Sequence, residues 1–166
     1  MSLDADLERI TLQEERLQFA TFDADTAWQL GCHLREQALA AGHAIAIEVR
    51  LHGFPLFYSA LGGTSPDNAE WLRRKRNVVE RFHKSSYAIG LLMEKRGMTL
   101  SERYGIPLAD FVAAGGGFPL RVRGVGVVGF IGVSGLAQRD DHAFIVAALA
   151  DFLGLSRAEL ALPEAD

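Results

Sequence analysis

A glycine-rich and largely apolar segment between Gly115 and Gly135 sets the tightest limits on how this chain can fold. It contains two apolar runs that meet at Gly124, which predicts two strands joined by a turn. Both faces of the second run, residues 125–133, are apolar, so we expect a central strand covered on both sides. Glycine weakens a strand and is tolerated where another backbone or a ligand comes close. A helix lying close on the sheet, with ligand access as the alternative, would explain the three glycines within this run, Gly126, Gly129 and Gly132.

Composition limits the class of protein. The chain has 166 residues, of which 49% are hydrophobic and 23% charged, so we expect one globular domain over 1–166. Its net charge of -4 argues against nucleic acid as the main partner. The single cysteine, Cys32, excludes an internal disulfide and a cysteine-based metal cluster.

Neither export nor a membrane span is predicted. The first residues lack the basic-then-apolar order of a signal peptide. The longest apolar runs are shorter than the ~20 residues that cross a bilayer. We therefore expect a cytoplasmic protein without a membrane partner.

The first half of the chain predicts two helices and a hairpin. A helix over about 3–18 has few apolar residues, so it should be peripheral, lying on the domain's edge or on a neighbouring subunit. Asp23 has the character of an N-cap for a second helix that Gly42 ends. Two strands follow over 44–51 and 54–61, joined by a tight turn.

The second half predicts one long helix from Asn68 to near Gly97. Its apolar residues recur every three or four positions, and hydroxyl competition for backbone bonds at residues 85–86 is expected to bend it. A short helix over 108–114 should precede the glycine-rich strands.

A last helix is expected from Asp140 to Gly154, followed by an acidic tail, residues 156–166, that we expect to be loose. The order of elements predicts an α/β three-layer sandwich in which an antiparallel sheet carries helices on both faces. Both hairpins are local, so the pairing between them must be long-range.

Four consecutive cations follow Trp71 on the long helix. By spacing, Lys75 belongs to the apolar face and Arg74 lies beside Trp71. Lys75 could extend its stem over apolar surface while the arginines stay solvated. Alternatively, Lys75 or Arg74 meets an anionic group in a cleft, either a ligand carboxylate or Glu48. Because Glu48 shares a strand face with alanines, we hypothesise that it pairs with Lys75 or Arg74.

The five histidines have no zinc-binding spacing, so no metal site is predicted from them. Haem iron needs only one axial histidine. His83, near the middle of the long helix, and His142, at a helix start, are the candidates.

The Gly115–Gly117 loop enters a strand and is placed for contact with an anion, Gly115 and Gly116 above all. It lacks the strand-to-helix position of a dinucleotide fingerprint and the lysine of a phosphate-binding loop. No combination of residues predicts catalysis, so the catalytic residues are unknown and enzyme activity stays open.

Several motifs together resemble the haem-degrading-domain family, which includes HbpS-like and GlcG-like proteins, and within it an intracellular branch. The motifs are the two glycine-rich strands, residues 114–120 and 127–135, together with Asp67-Asn68, Trp71, Arg74-Lys75, Phe82, Ser85-Ser86 and Asp141-His142. The resemblance implies a profilin-like α/β sandwich and a homo-oligomer. It also implies that a tetrapyrrole such as haem is a plausible ligand.

The leading hypothesis is a cytoplasmic, homo-oligomeric protein that binds haem or another small anion. The alternatives are an assembly or scaffold protein without a small ligand, and an enzyme of haem breakdown. The cations beside Trp71 discriminate between them, because a binding protein should lose its ligand when Arg74 and Lys75 are replaced.

Overall fold

The computed structural model describes residues 2–164. Its helices are α1 (Leu3–Arg16), α2 (Ala24–Ala41), α3 (Pro66–Phe82), α4 (Ser86–Arg96), α5 (Leu100–Tyr104), α6 (Gln138–Phe152) and α7 (Arg157–Leu160). Its strands are β1 (Ala46–Leu51), β2 (Phe54–Ala60), β3 (Gly117–Val122) and β4 (Gly126–Ser134).

The four strands form one antiparallel sheet in the order β2-β1-β4-β3. The two hairpins, β1–β2 and β3–β4, are local in sequence. The long-range pairing between β1 and β4 aligns Glu48 with Gly132 and Val49 with Ile131. β4 is therefore an inner strand, as its apolar faces predict.

Helices cover both faces of the sheet. On one face, α2 and α6 pack on strand side chains that include Phe118, Ile131 and Val133, all fully buried. On the other face, α3 places Leu72 and Val79 against Phe130. The predicted α/β three-layer sandwich is confirmed.

The glycines of β4 permit close approach for different reasons. A β-carbon at Gly132 would lie 2.9 Å from Leu72 of α3 and 2.3 Å from the Phe130 ring, so here a helix does lie close. At Gly129 the close neighbour is instead the Arg50 carbonyl of β1, at 2.0 Å. Gly126 has a φ of +114°, which suits the turn that enters the strand.

The Gly132→Ala variant is expected to lose about 1–3 kcal/mol of stability, because a methyl group there meets side chains of a closed core. Gly62→Ala is the matched control, since a β-carbon at Gly62 meets nothing within 4 Å. Urea denaturation should show a lower midpoint for Gly132→Ala alone. Equal midpoints would contradict close packing of α3 on β4.

The prediction of one bent helix from Asn68 to Gly97 is wrong, because the chain breaks between α3 and α4. His83 ends α3 in the left-handed conformation, with a φ of 52°. Ser85 then caps α4, and its hydroxyl accepts the Ala88 N–H at 3.2 Å. The serine hydroxyl thus starts a new helix instead of bending a continuous one.

The helix predicted over 108–114 is also wrong, since this segment is a turn followed by an extended loop. Several of its polar groups bond to α3, and only one turn closes within the segment, where the Phe111 N–H donates to the Pro107 carbonyl at 3.1 Å. Arg73 binds the Asp110 carboxylate at 3.0 Å, and the Val112 N–H donates to the Arg74 carbonyl. The helix that does form, α5, was not predicted and begins at the Thr99 cap.

The C-terminal tail differs from the loose segment expected over 156–166. It carries α7, and Leu160 is fully buried. The Gln13 side chain of α1 donates to the Leu160 carbonyl at 2.6 Å, and Arg139 bonds the Pro163 carbonyl. The N-terminal helix therefore packs within its own chain, against α4 and α7. Residues 165 and 166 lie outside the described part.

Candidate functional site

A cavity of about 540 Å³ opens at the end of the sheet where β4 leads into α6. We call it the α3–α6 cavity, because those helices supply two of its walls and the loop before β3 supplies a third. Its lining residues are Asp67, Asn68, Trp71, Lys75, Val112, Ala113, Ala114, Gly115, Ser134, Gly135, Leu136, Gln138 and Asp141.

The α3 wall follows from helical spacing, since Asp67, Trp71 and Lys75 recur every four residues and share one face. The Trp71 indole donates its N–H to Asp67 Oδ2 at 3.2 Å. The Arg74 guanidinium lies 4.4 Å from the centre of a Trp71 ring, a cation–π contact. Trp71 is thereby held in place at the cavity wall.

The floor of the cavity is a buried ion pair between α3 and α6. Lys75 and Asp141 are each 2% exposed, and Lys75 Nζ lies 3.1 Å from Asp141 Oδ2. The same ammonium donates to the Val133 carbonyl at 3.0 Å. The other carboxylate oxygen of Asp141 accepts the Leu136 N–H at 3.0 Å. Two of the three ammonium hydrogens thus have acceptors, and the third has none among residues 2–164.

Burial opposes the charge on both members of this pair. It lowers the pKa of Lys75 against the attraction of Asp141, and the nearby charge of Arg74 lowers that pKa further. Burial likewise raises the pKa of the Asp141 carboxyl, against the attraction of Lys75. A proton can therefore move between the two groups at a smaller cost than between exposed ones.

The first turn of α6 borders the cavity through Gln138 and Asp141. This helix has 15 residues, and its N-cap, Ala137, has no side chain that could accept the N–H groups of the first turn. The positive end of the helix dipole favours a negative charge there. The site therefore combines an ammonium group with a helix N-terminus whose first turn already carries two carboxylates, Asp140 and Asp141.

The glycine loop is required for close packing at this site. A β-carbon at Gly115 would lie 2.0 Å from the Gln138 carbonyl, and one at Gly116 would lie 2.6 Å from Lys75 Nζ. The Gly115 N–H donates to the Gln138 side chain at 3.3 Å. Gly115 lines the cavity, but its N–H is used within the chain and is not free for an anion.

The two histidines singled out from the sequence do not line the α3–α6 cavity. His83 is exposed at the end of α3, where its ring stacks on His52. His142 is fully buried beneath α1, and its Nε2 lies 2.8 Å from the Gln13 side-chain oxygen. Burial lowers the pKa of His142 to about 3, so the ring is neutral at ordinary pH.

The hypothesis that Glu48 pairs with Lys75 or Arg74 is wrong. Glu48 accepts from Arg76 at 2.8 Å and from Arg50 at 3.5 Å. Successive helical residues differ by about 100° in direction, so Lys75 and Arg76 point to different partners. Sequence reasoning missed Asp141 as a site residue, although a buried lysine on α3 requires an acid nearby.

Among the helices of residues 2–164, none combines the length and apolar character of a membrane span. Within the same range, no three His, Cys, Asp or Glu side chains lie together as ligands of a metal ion would.

Fold and cavity together define a small α/β sandwich protein with a ligand-sized cavity at one end of its sheet. Residues 22–150 match the family model described as "Haem degrading protein HbpS-like". A UPF0303 protein of Burkholderia thailandensis is 52% identical over 162 residues, which cover 98% of each chain. The chain therefore belongs to the HbpS-like haem-degrading family, which confirms the resemblance seen in the sequence.

Solved structures share the fold. The structure of the Ybr137w protein has a TM-score of 0.82 at 27% identity and covers 89% of this chain and 87% of its own. The structure of the PduOC:Heme complex has a TM-score of 0.63 at 19% identity, over 74% of this chain and 88% of its own. At that level of identity, the second likeness concerns the fold alone.

Proposed function

We propose that this protein binds a small organic anion, with haem among the candidates, in the α3–α6 cavity. The observation that carries this proposal is the buried Lys75 ammonium at the cavity floor, which has one hydrogen without an acceptor among residues 2–164. The first turn of α6 adds a second attraction for negative charge. The ligand's carboxylate would lie between these two groups.

The size and walls of the cavity support an organic ligand. Its volume of about 540 Å³ falls within the ~300–1,000 Å³ typical of small-molecule sites. Trp71 offers an aromatic surface beside the ammonium, and the loop before β3 adds the apolar side chains of Val112 and Ala113 to the cavity wall. A planar or apolar body with a carboxylate at one end would match these groups.

Haem is a candidate because of the family and because PduOC has been solved as a haem complex. The lining residues suit its carboxylates and its planar ring, but they include no His, Cys, Met or Tyr to bind the iron. Haem in this cavity would be held by Lys75 and Trp71, and its iron would find no usual protein ligand among the residues that line the cavity. No step of haem breakdown follows from these residues.

An absorbance titration with haemin, beside albumin as a nonspecific control, tests haem as the ligand. We expect saturation at a fixed ratio per subunit, and an affinity about fivefold weaker in Trp71→Ala because a stacking surface worth roughly 1 kcal/mol is lost. Trp28→Ala is the matched control, since Trp28 is an exposed tryptophan of α2 on the other face of the sheet.

His83→Ala should leave the titration unchanged, because His83 lies outside the cavity. A shallow, unsaturated shift that ignores Trp71→Ala would contradict haem as the ligand. A shift abolished by His83→Ala would contradict the cavity as its site.

The proposal includes self-association in the cytoplasm. The edge strand β2 and the adjoining α2 expose Trp28, Phe54 and Tyr58, at 62%, 58% and 49%. Exposed apolar groups beside an open strand edge favour contact with another copy. The same surface supports the alternative of an assembly protein without a small ligand. Light scattering on the purified chain, with and without haemin, measures its oligomeric state. Together with the haemin titration it separates a self-associating binding protein from an assembly protein without a small ligand.

A further inference from the structure

Lysine is rare in this chain, which has three lysines against fourteen arginines. Lys84 and Lys95 are exposed, whereas Lys75 is buried at the floor of the α3–α6 cavity. Arginine stays charged in proteins, while a buried lysine can lose its proton and act as a nucleophile. Lysine thus occupies the one position of the run 73–76 that faces both an acid and a cavity.

The groups around Lys75 match the requirements of amine chemistry. Asp141 Oδ2, 3.1 Å from Nζ, is within reach to take and return a proton. Lys75 lines a cavity that can admit a reactant. The first turn of α6 favours a carboxylate on the same molecule. Burial and the charge of Arg74 lower the pKa of Lys75, which increases the share of free amine.

We infer that Lys75 forms an imine with the carbonyl carbon of a small oxo acid bound in the α3–α6 cavity. This inference rests on the proposed function, because the oxo acid is one class of the organic anions that the cavity binds. It adds a covalent step and a ligand class that a binding site for carboxylates does not require.

The step is balanced without an oxidant or a reductant. Asp141 takes a proton from the Lys75 ammonium, and the amine attacks the carbonyl carbon as the C=O electron pair moves onto oxygen. That oxygen is protonated through Asp141, and a proton leaves the nitrogen by the same carboxylate. Asp141 returns that proton to the hydroxyl group, which leaves as water while the nitrogen lone pair forms the C=N bond, and the protonated imine is then paired with the Asp141 carboxylate. The sum is ammonium plus carbonyl giving iminium plus water.

Reductive trapping tests the inference with pyruvate as the probe. Wild-type protein is incubated with pyruvate and cyanoborohydride, and peptide mass spectrometry locates the alkylated lysines. We expect Lys75 to be labelled at least tenfold faster than Lys84 and Lys95 within the same sample. The Lys84→Arg/Lys95→Arg variant should keep the label, and Lys75→Arg should lose it. Equal labelling of the three lysines, or none at Lys75, would overturn the inference.

Fluorescence separates this inference from the proposed function. In a Trp28→Phe background, Trp71 is the remaining tryptophan and lines the cavity. Lactate has the carboxylate of pyruvate but no carbonyl group. Saturable quenching by lactate and pyruvate without trapping at Lys75 would leave the binding function standing and remove the imine. If neither compound binds and no label forms, both proposals fail.

Discussion

The Lys75→Met variant is expected to lose about 3–5 kcal/mol of stability, because it leaves the Asp141 carboxylate buried without its cation. Asp141 is 2% exposed, so its carboxylate has little contact with water that could offset the lost partner. Methionine fills similar space along the lysine stem, which keeps the loss of packing small. Urea denaturation at neutral pH measures the difference in the free energy of unfolding.

The double variant Lys75→Met/Asp141→Asn should recover most of that loss. Asparagine keeps an oxygen for the Leu136 N–H, which the carboxylate accepts at 3.0 Å, and carries no charge that needs a partner. A double-mutant cycle with Asp141→Asn alone gives the coupling between the two groups. If Lys75→Met were no less stable than the double variant, the two residues would not be paired in the folded protein.

Short sequence patterns were sufficient to predict much of the fold. Asp23 and Gly42 mark the start and the end of α2, as predicted, since a side-chain cap and a left-handed glycine act within one turn of the helix. The hairpin turn after Leu51 and the inner position of β4 also follow from short patterns. These features depend on few residues that are adjacent in sequence.

The errors lie where distant contacts decide the conformation. Residues 108–114 form a loop because Arg73 and Arg74 of α3 take up its polar groups. Residues 157–160 form a packed helix because Leu160 enters the core and Gln13 binds its carbonyl. Neither contact is visible in local periodicity, since each joins segments that are far apart in the chain.

The candidate site was predicted in part. Trp71, Lys75 and Gly115 line one cavity, whereas His83 and His142 do not. Helical phase indicates that Lys75 faces inward, but its partner Asp141 lies 66 residues away. The chain has 21 acidic residues, so the sequence offers many possible partners for Lys75, and only the fold brings Asp141 to it.

Acid should destabilise the wild-type protein relative to His142→Gln. The pKa of His142 is about 3 in the folded chain and near 6.5 when unfolded, because burial disfavours the charged ring. Between these values the unfolded state binds a proton that the folded state does not. The stability from His142 is therefore complete above about pH 6.5 and is lost at about 1.4 kcal/mol per pH unit as the pH falls. The difference should reach roughly 4 kcal/mol at pH 3.

The comparison with His142→Gln separates the effect of the His142 ring on stability from the effects of buried carboxyl groups. Burial raises the pKa values of Glu14 and Asp141, so these groups add stability as the pH falls, with the opposite sign. Both are present in the two proteins, and their contributions cancel in the difference. Glutamine can still donate to the Gln13 oxygen that His142 contacts at 2.8 Å. Parallel stability curves from pH 7 to pH 3 would show that the His142 ring is not held neutral in the core.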